Sequence, residues 1–267
     1  MTIRTPEDEA AIDATKAPLL DHLIELRKRI IYSMLALAVC FAICFGFAKP
    51  IYAFLTEPLA HAAPGHHLIY TAVYESFFTY VKLGLFAGLC LAFPIIASQI
   101  WMFVAPGLYK QERKAFLPFL LATPVLFIAG AAFVFYIMLP FAIRFFVGYE
   151  TQGGPNSLPI EMQPKVSEYL DFVTTLIFAF GLTFQMPVLL SLLGKVGLVT
   201  SKQLKSARRY AYLGITVVAA ILTPPDFISP FTLMIPLILL YEVSIWCVRL
   251  IERRRARDDA AKAAATT

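Results

Sequence analysis

The sequence predicts an all-α integral membrane protein of six transmembrane helices with both termini in the cytoplasm. Three observations carry this expectation. The 267 residues are 59% hydrophobic and only 15% charged, with a mean hydropathy of +0.70; soluble domains run nearer about 45–50% apolar and 25% charged. Six stretches carry no charge and are apolar enough to enter a bilayer. Lys and Arg gather on one side of those stretches. The charge deficit, with 23 Phe, 12 Tyr and 18 Pro, excludes a soluble enzyme, a disordered chain and a collagen-like one. Cys40, Cys44, Cys90 and Cys247 all sit in apolar runs without a Cys-x-x-Cys pair. They read as small buried side chains, not as disulfide partners or metal ligands.

A spanning helix needs about 20 apolar residues, because each rises about 1.5 Å through about 30 Å of hydrocarbon. The charge-free runs are Ile30–Ala48, Leu83–Gly107, Ala115–Ile143, Phe172–Gly194, Tyr210–Pro225 and Phe227–Tyr241. They place six spans at about 30–48, 77–104, 116–143, 168–194, 209–223 and 227–248 within a membrane domain of 19–249. Residues 1–18 are expected as a flexible cytoplasmic tail and 250–267 as a cytoplasmic C-terminal tail, disordered from Arg257. The first run follows a segment containing several acids, unlike the short basic start of a cleaved signal. The last two spans look short, because Thr223-Pro224-Pro225 stops the fifth and Glu242 interrupts the sixth. Both are expected to thin the bilayer locally. Pro94, Pro118, Pro124, Pro140, Pro187 and Pro236 each remove a backbone hydrogen bond and bend their helices. Bent helices of unequal length favour a curved wall. Long outer connections, about 49–76 and 147–171, join them.

Orientation follows from the basic residues. Nineteen of the 23 Lys and Arg lie in the N-terminal tail, the second and fourth connections and the C-terminal tail. The opposite side holds only Lys49, Lys82, Arg144 and Lys165. This asymmetry puts both termini in the cytoplasm. It also accounts for the net charge of +5, so no nucleic-acid partner is expected.

Chemistry is sparse within the spans. Lys82 reads as a snorkelling anchor. Glu242 lies near a cytoplasmic end, within reach of Arg249 or the interface. Gln185, in Phe184-Gln185-Met186-Pro187, has two readings. It bonds carbonyls freed by Pro187 in its own helix, or it faces lipid or the concave side as a polar handle for a partner helix. His61, His66 and His67 read as exposed loop residues, and no metal or other cofactor is expected. No nucleophile, phosphate-binding or zinc motif occurs, which argues against an enzyme. A solute transporter would want a midplane polar site, and only Gln185 qualifies.

The N-terminal segment is more informative. Leu19, Leu20, Leu23, Leu26 and Ile30 form an apolar stripe at helical spacing, while Asp21, Glu25 and Arg29 share the opposite face. Glu25 and Glu112 each have the plain reading of an ion pair within a helix.

Four segments carry a resemblance. His22-Leu23-Ile24-Glu25-Leu26-Arg27-Lys28-Arg29, Phe103-Val104-Ala105-Pro106-Gly107-Leu108-Tyr109-Lys110-Gln111-Glu112-Arg113, Phe180-Gly181-Leu182-Thr183-Phe184-Gln185-Met186-Pro187 and Leu222-Thr223-Pro224-Pro225-Asp226 are similar to the signature segments of the TatC family. TatC is the large subunit of the twin-arginine protein translocase. The likeness runs from about Pro18 to Arg249. It implies six helices in a concave, glove-like arrangement in the bacterial inner membrane. It further implies recognition of Arg-Arg signal peptides on folded cargo, single-span TatA- and TatB-type partners, a homo-oligomer within the complex and a drive from the proton-motive force. The signal-binding set implied is Glu25, Glu112, Phe103, Leu26, Arg27 and Tyr109. Carboxylates suit that task, because guanidinium is permanently charged and pairs with them in a two-pronged way. The chain has Gln185 where many family members have Glu, which leaves hydrogen bonding as the means of partner contact there.

Overall fold

The chain runs from the N-terminus straight into the first span without a proline or glycine between Leu19 and Phe45, so nothing breaks the helix that the apolar stripe begins. In the computed structural model, which describes the backbone of residues 6–104, 117–154, 158–222 and 228–266, α1 covers Pro6–Gly46 as one element. Its 41 residues rise about 62 Å. The stretch expected as a flexible tail is thus helical from Pro6. Proline suits the first helical position, and the Ala-rich, acidic run behind it favours helix. The short α2 (Ala48–Ala62) then leads through an outer connection to α3 (Glu75–Val104).

The third span is α4 (Leu117–Phe133), a π-helical turn (Val134–Met138) and α5 (Leu139–Val147). The turn lies where Pro140 cannot donate to the preceding turn, and Leu139 N–H reaches back five residues to the Val134 carbonyl. The fourth span is α6 (Val166–Thr183) and α7 (Met186–Val196), broken where Pro187 opens α7. After α7, Gly197 takes φ 86°, the left-handed conformation in which glycine closes a helix. The short α8 (Ser201–Ser206) follows, capped by Thr200 and Gln203, and then come α9 (Arg208–Leu222) and α10 (Ile228–Thr266).

Among the described residues, five segments are long and apolar enough to cross a membrane: His22–Gly46, Glu75–Phe103, Phe119–Val147, Val166–Val196 and Leu233–Arg257. The fifth expected span appears as α9, whose 15 residues rise about 22 Å and are short for a bilayer of about 30 Å. The sixth is not short. α10 continues through Glu242, because Arg208 and the Tyr212 hydroxyl, 2.6 Å away, both bond the carboxylate. Arg208, and not Arg249, is its partner. Helix α10 also runs on through the segment expected to be disordered, reaching Thr266; its Ala-rich composition explains the continuation.

The main core forms around Val134, Met138 and Leu139 of the third span, Val173, Leu176 and Phe180 of α6, and Leu233 and Leu237 of α10. Each is at most 2% exposed, so three spans meet there away from the surface. Helix α1 lies outside this cluster. It is packed along α3 at Gly88, where an added Cβ would sit 2.8 Å from the Phe41 backbone. Cys40 and Cys44 are buried and Cys90 and Cys247 partly so.

At the outer end, one carboxylate joins two helices. Glu75 Oε2 accepts the backbone N–H groups of Thr71 and Ala72, at 2.8 and 3.3 Å, while Oε1 accepts the Ser167 hydroxyl at 2.6 Å. The starts of α3 and α6 are therefore tied together. Lys82, expected to act as an anchor, pairs with Asp171 at 2.9 Å on the exposed surface.

Candidate functional site

The site grows from the helical repeat of α1. Ile24, Lys28 and Tyr32 recur every four residues, with Glu25 and Arg29 beside them. Together they line a shallow cavity of about 400 Å³. Glu25 Oε1 accepts a hydrogen bond from Arg29 Nη2 at 3.0 Å. Arg29 Nη1 donates to Gln99 Oε1 at 3.1 Å and lies 3.5 Å from Met102 Sδ. One guanidinium thus holds the Glu25 carboxylate and fastens α1 to the end of α3. Both side chains keep roughly a quarter to a third of their surface exposed, so an incoming cation can reach the carboxylate. A second contact seals the same junction, the His22 and Phe103 rings stacking at 4.3 Å.

The structure therefore brings Glu25 and Phe103, which the sequence named, to one junction. Leu26 is partly buried and Arg27 exposed; neither lines the cavity. Glu112 and Tyr109 lie outside the described residues, as does Thr223–Asp226 of the fourth signature segment. Sequence reasoning missed Lys28, Tyr32 and Gln99. The four-residue repeat from Ile24 would have found the first two, but Gln99 lies 70 residues from Arg29 and gave no signal.

Gln185 departs from the expectation that it faces lipid or a concave surface. It is 7% exposed, and its Nε2 donates to the Thr123 carbonyl of α4 at 2.9 Å and to Gly181 O at 3.4 Å. The cause is the break in the fourth span. The Gln185 backbone N–H turns to Leu182 O at 3.0 Å, which leaves the Gly181 carbonyl for the side-chain amide. The longer bond stays within its own span, but to Gly181 O and not to the Thr183 carbonyl that Pro187, lacking an N–H, leaves free. Gln185 Oε1 has no hydrogen-bond partner among the described residues.

Multiple apolar helices of bilayer length, broken at prolines and carrying a carboxylate–guanidinium junction on the first, define a multispanning α-helical membrane protein. The family model for TatC, Sec-independent protein translocase protein, matches residues 21–236. A TatC of Magnetococcus marinus is 47% identical over 250 residues, covering 93% of this chain and 90% of the relative. A TatC of Rickettsia prowazekii is 41% identical over 237 residues, covering 88% and 94%. A crystal structure of the twin-arginine translocase receptor TatC superposes with a TM-score of 0.74 at 38% identity, covering 86% of this chain and 99% of that one. The chain belongs to the TatC family of Sec-independent protein translocase subunits. It is a component of the twin-arginine translocation system.

Proposed function

We propose that this chain is the core receptor and scaffold of twin-arginine export. It binds the Arg-Arg signal peptides of folded cargo at the cytoplasmic face of a bacterial inner membrane. It assembles there with further copies of itself and with single-span TatA- and TatB-type subunits, for transport driven by the proton-motive force. The observation that carries the reading is Glu25, whose partly exposed carboxylate already holds one guanidinium, that of Arg29, at 3.0 Å. A signal arginine offers the same donor geometry. Phe103 and the exposed Leu23 and Ile24 supply apolar surface for the rest of the signal. Glu112, Leu26, Arg27 and Tyr109 complete the binding set, and the Lys and Arg distribution puts both termini in the cytoplasm across six spans. Gln185 is the intramembrane contact for a partner helix, which has to displace α4 to reach the buried, unpartnered Oε1.

The test is photo-crosslinking of an Arg-Arg signal peptide to Glu25→Gln, Glu112→Gln and the double variant. Losing a charge-assisted bond at a partly exposed site costs about 1–3 kcal/mol, a roughly 5- to 150-fold loss of affinity. Unchanged crosslinking in the double variant would refute the assignment.

A further inference from the structure

The outer end holds a titratable pair that the signal-binding reading does not use. His66 was expected to be an ordinary exposed loop residue. Its side chain is instead only 20% exposed, and its Nε2 lies 2.6 Å from Glu150 Oε1 across 84 residues of chain. The other ring nitrogen, Nδ1, lies 3.2 Å from the Ala63 carbonyl. Glu150 Oε1 also accepts the Met162 backbone N–H at 2.8 Å.

Both ring nitrogens therefore face oxygen acceptors, and that decides the protonation state the site fits. An imidazolium donates from both nitrogens; a neutral imidazole carries one proton and must point a lone pair at the other oxygen. The groups gathered around His66 agree. From the second connector come the carboxylates of Glu150 and Glu161. From its own connector come the Ala63 carbonyl and His67, which lines the same cavity of about 870 Å³.

We propose that His66 and Glu150 form a proton-dependent latch that pins the first outer connector to the second and closes over this cavity. Farther along, the connectors are held by backbone bonds and by Glu75, whose carboxylate accepts from Thr71, Ala72 and Ser167. Ile69 N–H donates to Pro164 O at 3.1 Å, and Val166 N–H donates to Ile69 O at 2.9 Å. Those bonds form the fixed end, so loss of the His66 bond frees only the segments around Gly65 and Glu150.

The sign follows from the two groups separately. The hydrogen bond to Glu150 raises the His66 imidazole above its ordinary 6.5, against an opposing effect of burial, with the Ala63 carbonyl and the charges of Glu150 and Glu161 adding. Its contribution is full below 6.5 and lost as pH rises through the raised value. The Met162 N–H and then His66 hold the Glu150 carboxyl below its ordinary 4.5. That contribution is full above 4.5 and lost as pH falls through the lowered value. The latch is closed between the two and opens on the alkaline side. On the orientation proposed above, it faces the compartment that a proton-motive force acidifies; the latch itself does not depend on that orientation.

The experiment uses the full chain in detergent, with its four native cysteines changed to alanine and a nitroxide attached through Gln152→Cys, exposed two residues beyond Glu150. Its electron paramagnetic resonance spectrum is followed from about pH 5.5 to about pH 8.5. The expected result is a rise in label mobility spread over about two pH units and centred above the ordinary imidazole value. The rise disappears in His66→Gln and in Glu150→Gln. A flat native profile, or an unchanged transition in His66→Gln, overturns the proposal. The His66 ring resonances of the native chain give a second reading that needs no folded variant, and a ring titrating at or below 6.5 also overturns it. Signal-peptide crosslinking at Glu25 is measured on the same samples, so failure of the latch and failure of the receptor reading are seen separately.

Discussion

Replacing Gly88 by alanine tests whether α1 is held by backbone-to-backbone contact with α3. The new Cβ would lie 2.8 Å from both Cα and N of Phe41, where ordinary contact begins near about 3.5 Å. Neither atom belongs to a flexible side chain, so the two helices must part by several tenths of an ångström. Overpacking of this kind costs about 1–3 kcal/mol, partly offset by the better helix propensity of alanine, about 1 kcal/mol. At roughly 2–4 °C per kcal/mol for a chain of this size, the net cost of up to about 2 kcal/mol should lower thermal unfolding in detergent by up to about 8 °C. Gly214→Ala on α9 is the control, because nothing lies within 4 Å of its added Cβ; it should melt at or slightly above the parent temperature. The same perturbation should loosen the Arg29–Gln99 and His22–Phe103 contacts, so signal crosslinking should weaken alongside stability. Equal melting of the two variants would show that the close approach at Gly88 does not hold α1.

Gln185→Leu removes a bond to Thr123 worth about 0.6–2 kcal/mol in a membrane, but it also removes a buried oxygen without a partner, which costs a comparable amount. Its melting temperature should stay within about 3 °C of the parent while co-purification of the single-span subunits drops; a large stability loss with normal association would refute the partner role. Beside α9 the bilayer should be thinner, since about 22 Å of helix must match about 30 Å of hydrocarbon. Spin labels at the exposed Leu213, Val217 and Ile221 should all lie shallower than labels on α3, and depth profiles of ordinary thickness there would refute this.

What the sequence made legible was what each segment could decide alone. Hydropathy found the membrane helices, the prolines marked the breaks before Pro140 and Pro187, and the run from Leu19 carried no signal to interrupt α1. Errors arose where a distant residue changed the meaning of a local one. Glu242 read as a helix end because its partners Arg208 and Tyr212 lie 34 and 30 residues away. Gln185 read as either a bond to its own helix or a polar handle, and neither reading included its closer acceptor, because that is a backbone carbonyl on α4, 62 residues away, and backbone acceptors leave no mark in a sequence. His66 read as an exposed loop residue for the same reason, its partner being on another connector. At the candidate site, Glu25 and Phe103 were legible through their motifs, whereas Gln99, which anchors the arginine holding Glu25, belongs to none.

The continuity of α1 has a mechanical consequence. Its contact with α3 at Gly88 falls opposite Phe41, 16 residues from Glu25 but only five from the helix end at Gly46. Glu25 lies about 24 Å along the rod from that contact and Gly46 about 8 Å, and α1 is fastened to α3 on both sides of it, through Arg29 and Gln99 near Glu25 and at Gly84, where an added Cβ would lie 3.1 Å from Phe45 Cα. Neither arm is free, so a displacement of Glu25 has to carry α3 with it, and the two helices answer a pull on the carboxylate as one body.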